Sequence, residues 1–284
     1  MNKAFAAIKQ AAVLLRRHPW VALPFVILAI TEGIVLYLLF LAPQQPFASL
    51  LAPPIERFYG ERYVHYPWHL LKLPELFFQC KMLLSLLPGM FLSAVLVGLV
   101  GDIQLSKRPT FWKHLNTSAH RFFTLLCIWL LNLGAIKLIG MFSTQTFAWA
   151  KAHDFLFPAQ LLAFFLSFWV QMLFLYTLPL IMLFNDSLLQ ALLKNFRYLK
   201  RLFFPTSVCL LIGALFYLGL FYLELDLKNL ATRISPEVIV VVLSGGILMT
   251  LVINLFVTTT STLLFIQDDS TDLTPSNITS EAST

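Results

Sequence analysis

Six stretches of mainly apolar residues dominate this chain, each long enough to cross a bilayer: Trp20–Ala42, Leu76–Val100, Phe122–Phe142, Gln160–Phe184, Phe203–Leu223 and Val238–Ile266. A helix needs about 20 such residues to span the hydrocarbon core. Inside that core every backbone polar group must find its partner within the protein, which leaves helices and closed barrels. Barrel strands alternate lipid-facing and lumen-facing residues, whereas these runs are continuous. The expected fold is therefore an all-α polytopic membrane bundle of six transmembrane helices. Composition agrees, with 58% hydrophobic and 12% charged residues against about 25% charged in an ordinary soluble domain. A soluble enzyme, a disordered chain and a disulfide scaffold are excluded on these grounds. The first run is too long for a cleaved signal peptide and follows a patterned segment rather than a short basic one.

Basic residues fix the expected orientation, because cytoplasmic loops carry the excess of Lys and Arg. Twelve lie on one side: Lys3, Lys9, Arg16 and Arg17; Lys107, Arg108, Lys113 and Arg121; Lys194, Arg197, Lys200 and Arg201. The other side has six, with seven acids beside them. Both termini are thus expected in the cytoplasm. Residues 1–266 read as a single membrane domain with an outer-side loop over 43–75. The tail 267–284 lacks Lys and Arg and is rich in Ser and Thr, the composition of a short disordered end.

The basic residues also repeat. Lys9-x6-Arg16 precedes the first span, Lys194-x6-Arg201 the fifth, and Lys113-x6-His120-Arg121 the third, at offsets of 104 and 81 residues. This suggests three helical hairpins, each led by a cytoplasmic amphipathic helix. Before the fifth span, Lys194, Arg197 and Arg201 fall on one helical face. Leu189, Leu192, Leu193, Phe196, Leu199 and Phe203 fall opposite, and Ser187-Leu-Leu-Gln190 matches a capping box. Before the first, Phe5, Ile8, Ala12 and Leu15 oppose Lys3, Lys9 and Arg17. Such helices lie in the headgroup plane with their basic face toward anionic lipid. Lys9, Arg16, Arg17, Lys113, Arg121, Lys194, Arg197 and Arg201 are accordingly the candidate surface for anionic membrane lipid or a cytoplasmic protein partner. The alternative is that they are ordinary topology anchors. Charge split among three membrane-flush segments does not suit nucleic acid.

Ionisable groups at bilayer depth are functional candidates, since burying one costs roughly 2.5–3.5 kcal/mol on insertion scales. Glu32 lies about 18 Å and Lys137 about 22 Å from the cytoplasmic edge at 1.5 Å per residue, so the two are depth-matched and able to pair. Lys81 lies nearer the outer edge and is able to snorkel. Asn132, Gln171 and Asn254 add polar groups at intermediate depth. One reading makes these a buried pair and interhelical bridges; the other makes them a path for a proton, an ion or a headgroup. Gly89-x3-Ser93, Ala94-x3-Gly98 and Ser244-Gly-Gly246 mark close helix approach. Pro24, Pro88 and Pro179 predict kinks.

No phosphate-binding loop, zinc-spaced cysteine cluster, His-Glu-x2-His or Gly-x-Ser-x-Gly motif occurs. Neither an enzyme nor a cofactor is therefore expected, and no metal. His65 and His69 flank Pro67, and Tyr63, Tyr66 and Trp68 around them read as interface anchors. The loop 43–75 is expected to hold a short amphipathic element.

Residues Pro179–Ser187 followed by Ala191–Arg197, with Lys9, Arg16-Arg17 and Phe111–Lys113, resemble uncharacterised bacterial inner-membrane families with six spans. They are also similar to the membrane domain that precedes some glycerophosphodiester phosphodiesterases. The 284 residues hold no phosphodiesterase module, so that activity does not follow. The resemblance implies a multi-pass bacterial cytoplasmic-membrane protein linked to lipids or the envelope. Together these readings predict a non-catalytic protein of envelope or lipid handling, or a transport component. The alternative is a scaffold that docks a partner on its basic face.

Overall fold

The computed structural model describes residues 2–152, 156–225 and 227–272. Helices and no strands occur among them. In chain order they are α1 (Asn2–Arg17), α2 (Leu23–Phe40), α3 (Ala48–Tyr59), α4 (Trp68–Leu84), α5 (Met90–Gln104) and α6 (Phe111–His120). There follow α7 (Phe122–Ala152), α8 (Leu156–Phe174), α9 (Thr177–Phe184), α10 (Leu188–Leu225), α11 (Leu227–Arg233) and α12 (Val238–Asp272). Among the described residues five segments are long and apolar enough to cross a membrane: Pro19–Phe40, Phe122–Phe142, Phe165–Phe184, Leu188–Leu220 and Val238–Asp269. They answer to the first, third, fourth, fifth and sixth expected spans.

The second expected span is divided. A π-helical turn, Ser85–Gly89, separates α4 from the 15-residue α5. Pro88 sits in that turn and has no N–H for the carbonyl of Leu84. A Cβ on Gly89 would lie 3.2 Å from that same oxygen, so the small residue suits the wider turn. The other two prolines expected to kink a span sit at helix starts instead. Pro24 falls in the first turn of α2 and Pro179 in the first turn of α9, where the missing donor costs nothing.

The chain divides into two compact units. One draws on the residues up to Val21, on Met90–Leu211 and on those from Phe256; the other on Ala22–Gly89 and Ile212–Leu255. In the first, α5 is enclosed from Ala94 to Asp102 and packs against α6 and α9, while α7 packs against α8. Gly98 and Gly101 permit this. A Cβ on Gly98 would fall 2.3 Å from His114 Nδ1 of α6, and one on Gly101 2.4 Å from Leu183 of α9. His114 Nε2 in turn lies 2.7 Å from Asp102 Oδ2.

Two amphipathic helices carry a protein-facing stripe that the sequence pattern did not mark. In α1 the protein-facing stripe is Ala4, Ala7, Ala11 and Leu14, and Phe5 is exposed; Ala7 and Ile8 meet Cys209 and Leu264. In α10 the buried stripe is Ala191, Asn195, Leu199, Leu202 and Thr206, and Leu189, Leu193, Phe196 and Phe203 are exposed. Lipid is as apolar as leucine, so small and polar side chains gain more from facing the protein. The three pre-span segments also join their spans differently. A 3-10 turn separates α1 from α2, Arg121 separates α6 from α7, and the third is continuous with its span as α10. Half of the expected capping box forms: Ser187 N–H donates to Gln190 Oε1 at 3.3 Å. At the other end, α12 continues to Asp272, so 267–272 are helical rather than a disordered end. The remainder of that tail lies outside the described residues.

In the second unit α2 packs against α4, and Leu36, Leu39, Leu73, Phe77, Ile239, Leu243 and Ile247 share one core with Ala52 and Ile55 of α3. The expected amphipathic element of the outer loop is thus α3. It ends at Gly60, whose φ of 97° is open to glycine without penalty. His69 is 2% exposed; its Nε2 lies 2.7 Å from the Leu39 carbonyl and its Nδ1 3.2 Å from that of Tyr63, tying α4 to the end of α2. Tyr66 O–H donates to Glu237 Oε1 at 3.1 Å. The Glu237 carboxyl is held below its ordinary range by its own backbone amide, Ser235 and Tyr66. That same bond pushes the Tyr66 phenol up.

Candidate functional site

The first unit carries a cavity of about 230 Å³ lined by Leu180, Phe184, Lys194, Arg197, Tyr198, Arg201 and Asp269. Three elements meet there. Helical spacing of i, i+3 and i+7 puts Lys194, Arg197 and Arg201 on one face of α10. Leu180 and Phe184 supply an apolar wall from α9, and Asp269 comes from the last turn of α12. Phe265 holds the wall from behind. It is wholly buried, with its ring 4.7 Å from that of Tyr198, 5.5 Å from Phe184 and 6.1 Å from Tyr176.

The start of α10 is fixed by polar contacts absent from the sequence reading. Asn195 is fully buried. Its Oδ1 accepts from Tyr176 N–H at 3.1 Å, and its Nδ2 donates to the Leu173 carbonyl. It thereby satisfies backbone groups released where α8 ends and α9 begins, which is how buried breaks in a helix are tolerated. The signal available in sequence was a polar residue between Lys194 and Phe196, ahead of a proline-bearing segment in space but not in order.

Charge in the site is heavily compensated. Lys194 Nζ lies 2.7 Å from Asp186 Oδ1. Arg201 Nε lies 3.0 Å and Lys3 Nζ 3.4 Å from the buried carboxylate of Asp268. Tyr198 O–H donates to Asp269 Oδ1 at 2.9 Å. Arg197 is exposed and makes no ion pair among the described residues.

The other expected surface residues are not part of this cavity. Arg121 caps α9: it donates to the Ile181 carbonyl at 2.7 Å and to Asn185 Oδ1, where Asn185 ends the helix at φ 62°. Lys113 stands 3.7 Å from Asp102. Lys9, Arg16 and Arg17 are exposed along α1.

The intramembrane candidates also separate. Glu32 is 4% exposed, and its partner is Lys81 at 3.6 Å rather than Lys137. Lys81 Nζ also lies 3.4 Å from Thr250 Oγ1, so the cluster links α2, α4 and α12 within the second unit. Lys137, Gln171 and Asn254 lie on exposed faces of their helices. Asn132 is half-buried, and its Oδ1 has no hydrogen-bond partner among the described residues. The Glu32–Lys81–Thr250 arrangement neutralises a buried carboxylate and bridges three helices. No group of three or more His, Cys, Asp or Glu suited to a metal occurs among the described residues.

Compared with known proteins, the chain matches no family model, no curated protein and no solved structure.

Proposed function

We propose that the chain is a non-catalytic six-span protein of the bacterial cytoplasmic membrane, with cytoplasmic termini, acting in lipid or envelope handling or as a transport component. The observation that carries this reading is the cavity where Lys194, Arg197 and Arg201 stand against the apolar wall of Leu180 and Phe184. Cations beside an apolar surface at a membrane edge suit the head and upper chain of an anionic lipid, since each Lys or Arg near such a surface contributes about 1 kcal/mol. The apolar stretch Leu76–Val100 supplies the sixth crossing. The resemblance of residues 179–197 to bacterial inner-membrane families supports the same assignment.

Lipid extracted from protein purified in mild detergent tests the reading. Anionic phospholipid should be enriched over the bulk membrane, and the enrichment should fall in a Lys194→Ala/Arg197→Ala variant that still elutes as a single species. Bound lipid of bulk composition in the wild type would refute it. A second reading is a scaffold, favoured by the exposed Lys9, Arg16 and Arg17 of α1. A stoichiometric protein partner lost on neutralising those three would support it.

A further inference from the structure

The cavity described above has a more specific chemistry than general attraction to negative charge. Around it stand four cations, Lys3, Lys194, Arg197 and Arg201, and three carboxylates, Asp186, Asp268 and Asp269. Each carboxylate has a partner within 3.0 Å: Lys194 for Asp186, Arg201 for Asp268 and the Tyr198 hydroxyl for Asp269. Four cations against three carboxylates leave a net surplus of one positive charge, and Arg197 is the cation with no carboxylate partner among the described residues. The surplus matches one negative charge, that of a phosphodiester. A phosphomonoester carries close to two at neutral pH, and the second would face Asp269.

Asp269 also supplies something a bare phosphate site lacks. It lines the cavity, and an ionised carboxylate has about four acceptor sites, of which Tyr198 uses one. An acceptor set among guanidinium and ammonium groups suits a hydroxyl next to the phosphate. The cavity of about 230 Å³ has the volume of roughly eight liquid waters, the size class of a phosphate bearing a small polyol. Phe184, 45% exposed, leaves the outer part of the apolar wall uncovered. That surface accommodates an acyl chain.

We propose that this cavity seats one phosphodiester headgroup with free hydroxyls, that is, an anionic glycerophospholipid of the phosphatidylglycerol class. Arg197 and Lys194 hold the phosphate oxygens, the geometry in which a guanidinium fork is most effective. Asp269 accepts from the headgroup hydroxyl and repels doubly charged phosphate. The inference rests on the lipid-handling reading and sharpens it to a headgroup.

The test is native mass spectrometry of the full chain in detergent, titrated with phosphatidylglycerol, phosphatidic acid and phosphatidylethanolamine of identical acyl chains. Glycerol 3-phosphate and inorganic phosphate are followed by thermal shift. Phosphatidylglycerol should bind most tightly. Arg197→Gln should weaken it roughly tenfold, the loss of one charge-assisted contact, and Arg197→Lys should recover part of that. Asp269→Asn should raise phosphatidic acid to the level of phosphatidylglycerol. Equal binding of all three lipids would overturn the lipid-handling reading along with the headgroup assignment. A preference for both anionic lipids with no change in Asp269→Asn would overturn the headgroup assignment alone. Stabilisation by glycerol 3-phosphate or phosphate as strong as by phosphatidylglycerol would make this a soluble-anion site and overturn the lipid source.

Discussion

Replacing Asn195 by leucine should be among the most damaging single changes on α10, although the substitution makes the helix more apolar. The side chain is fully buried and bonds two backbone groups, Tyr176 N–H and the Leu173 carbonyl. Leucine keeps the branching and the number of side-chain heavy atoms, so the shape is roughly retained. What remains is two polar groups stranded at the α8–α9 break. Leaving a buried donor or acceptor unsatisfied costs about 1–3 kcal/mol, whereas polar contacts between membrane helices average nearer 0.6 kcal/mol by double-mutant cycles. Two stranded groups give about 1–6 kcal/mol, with about 3 kcal/mol expected because no other side chain replaces the amide. For a protein of this size that lowers Tm by roughly 6–12 °C. Thermal challenge in detergent, followed by size-exclusion recovery of the monodisperse species, reads the shift. Asn132→Leu is the internal control. Its Oδ1 already has no hydrogen-bond partner among the described residues, so removing it should leave Tm unchanged or raise it. A Tm for Asn195→Leu within 2 °C of wild type (roughly 1 kcal/mol or less), or equal effects of the two variants, would refute the backbone-satisfaction argument.

Two further outcomes are expected. Lys81→Met should destabilise by about 2–3 kcal/mol by leaving Glu32 unpaired, and adding Glu32→Gln should restore most of it; a double mutant as unstable as Lys81→Met alone would show that the pair is not what matters. Gly98→Ala should cost about 1–3 kcal/mol by overpacking against His114, whereas Gly245→Ala, with nothing within 4 Å of the added atom, should gain up to about 1 kcal/mol of helix propensity. The same thermal assay ranks both, and equal effects would refute the packing account.

The apolar runs were legible because hydrophobic length is a strong signal, and among the described residues five of them are long and apolar enough to cross a membrane. Which face of a helix meets protein was not legible. Leu189 and Leu193 read as the membrane-facing stripe of an amphipathic helix and are exposed, but nothing in the pattern marked Ala191 and Asn195 as the buried, protein-facing stripe. Apolar periodicity separates water from everything else and is blind to the difference between lipid and protein. The partner of Glu32 was missed for a related reason. Counting residues gives depth but no azimuth, and the helix carrying Lys81 starts at Trp68, eight residues before the apolar run suggested. The cavity was half legible: its three cations follow from spacing along α10. Asp269, Phe265 and Phe184 join them only through the tertiary fold.

The unbroken passage of α10 from Leu188 into its apolar stretch has a geometric corollary. Charge and hydrocarbon share one rotational phase, with no loop between them to absorb an error. A single residue inserted between Arg201 and Cys209 would turn the basic face by about 100° relative to the apolar stretch. Seven would bring it back to within about 20°, but roughly 10 Å farther along the axis. Length variation should therefore be tolerated in the connections that flank α10 and resisted within it. In that sense the helix works as both ruler and compass for the site at its start.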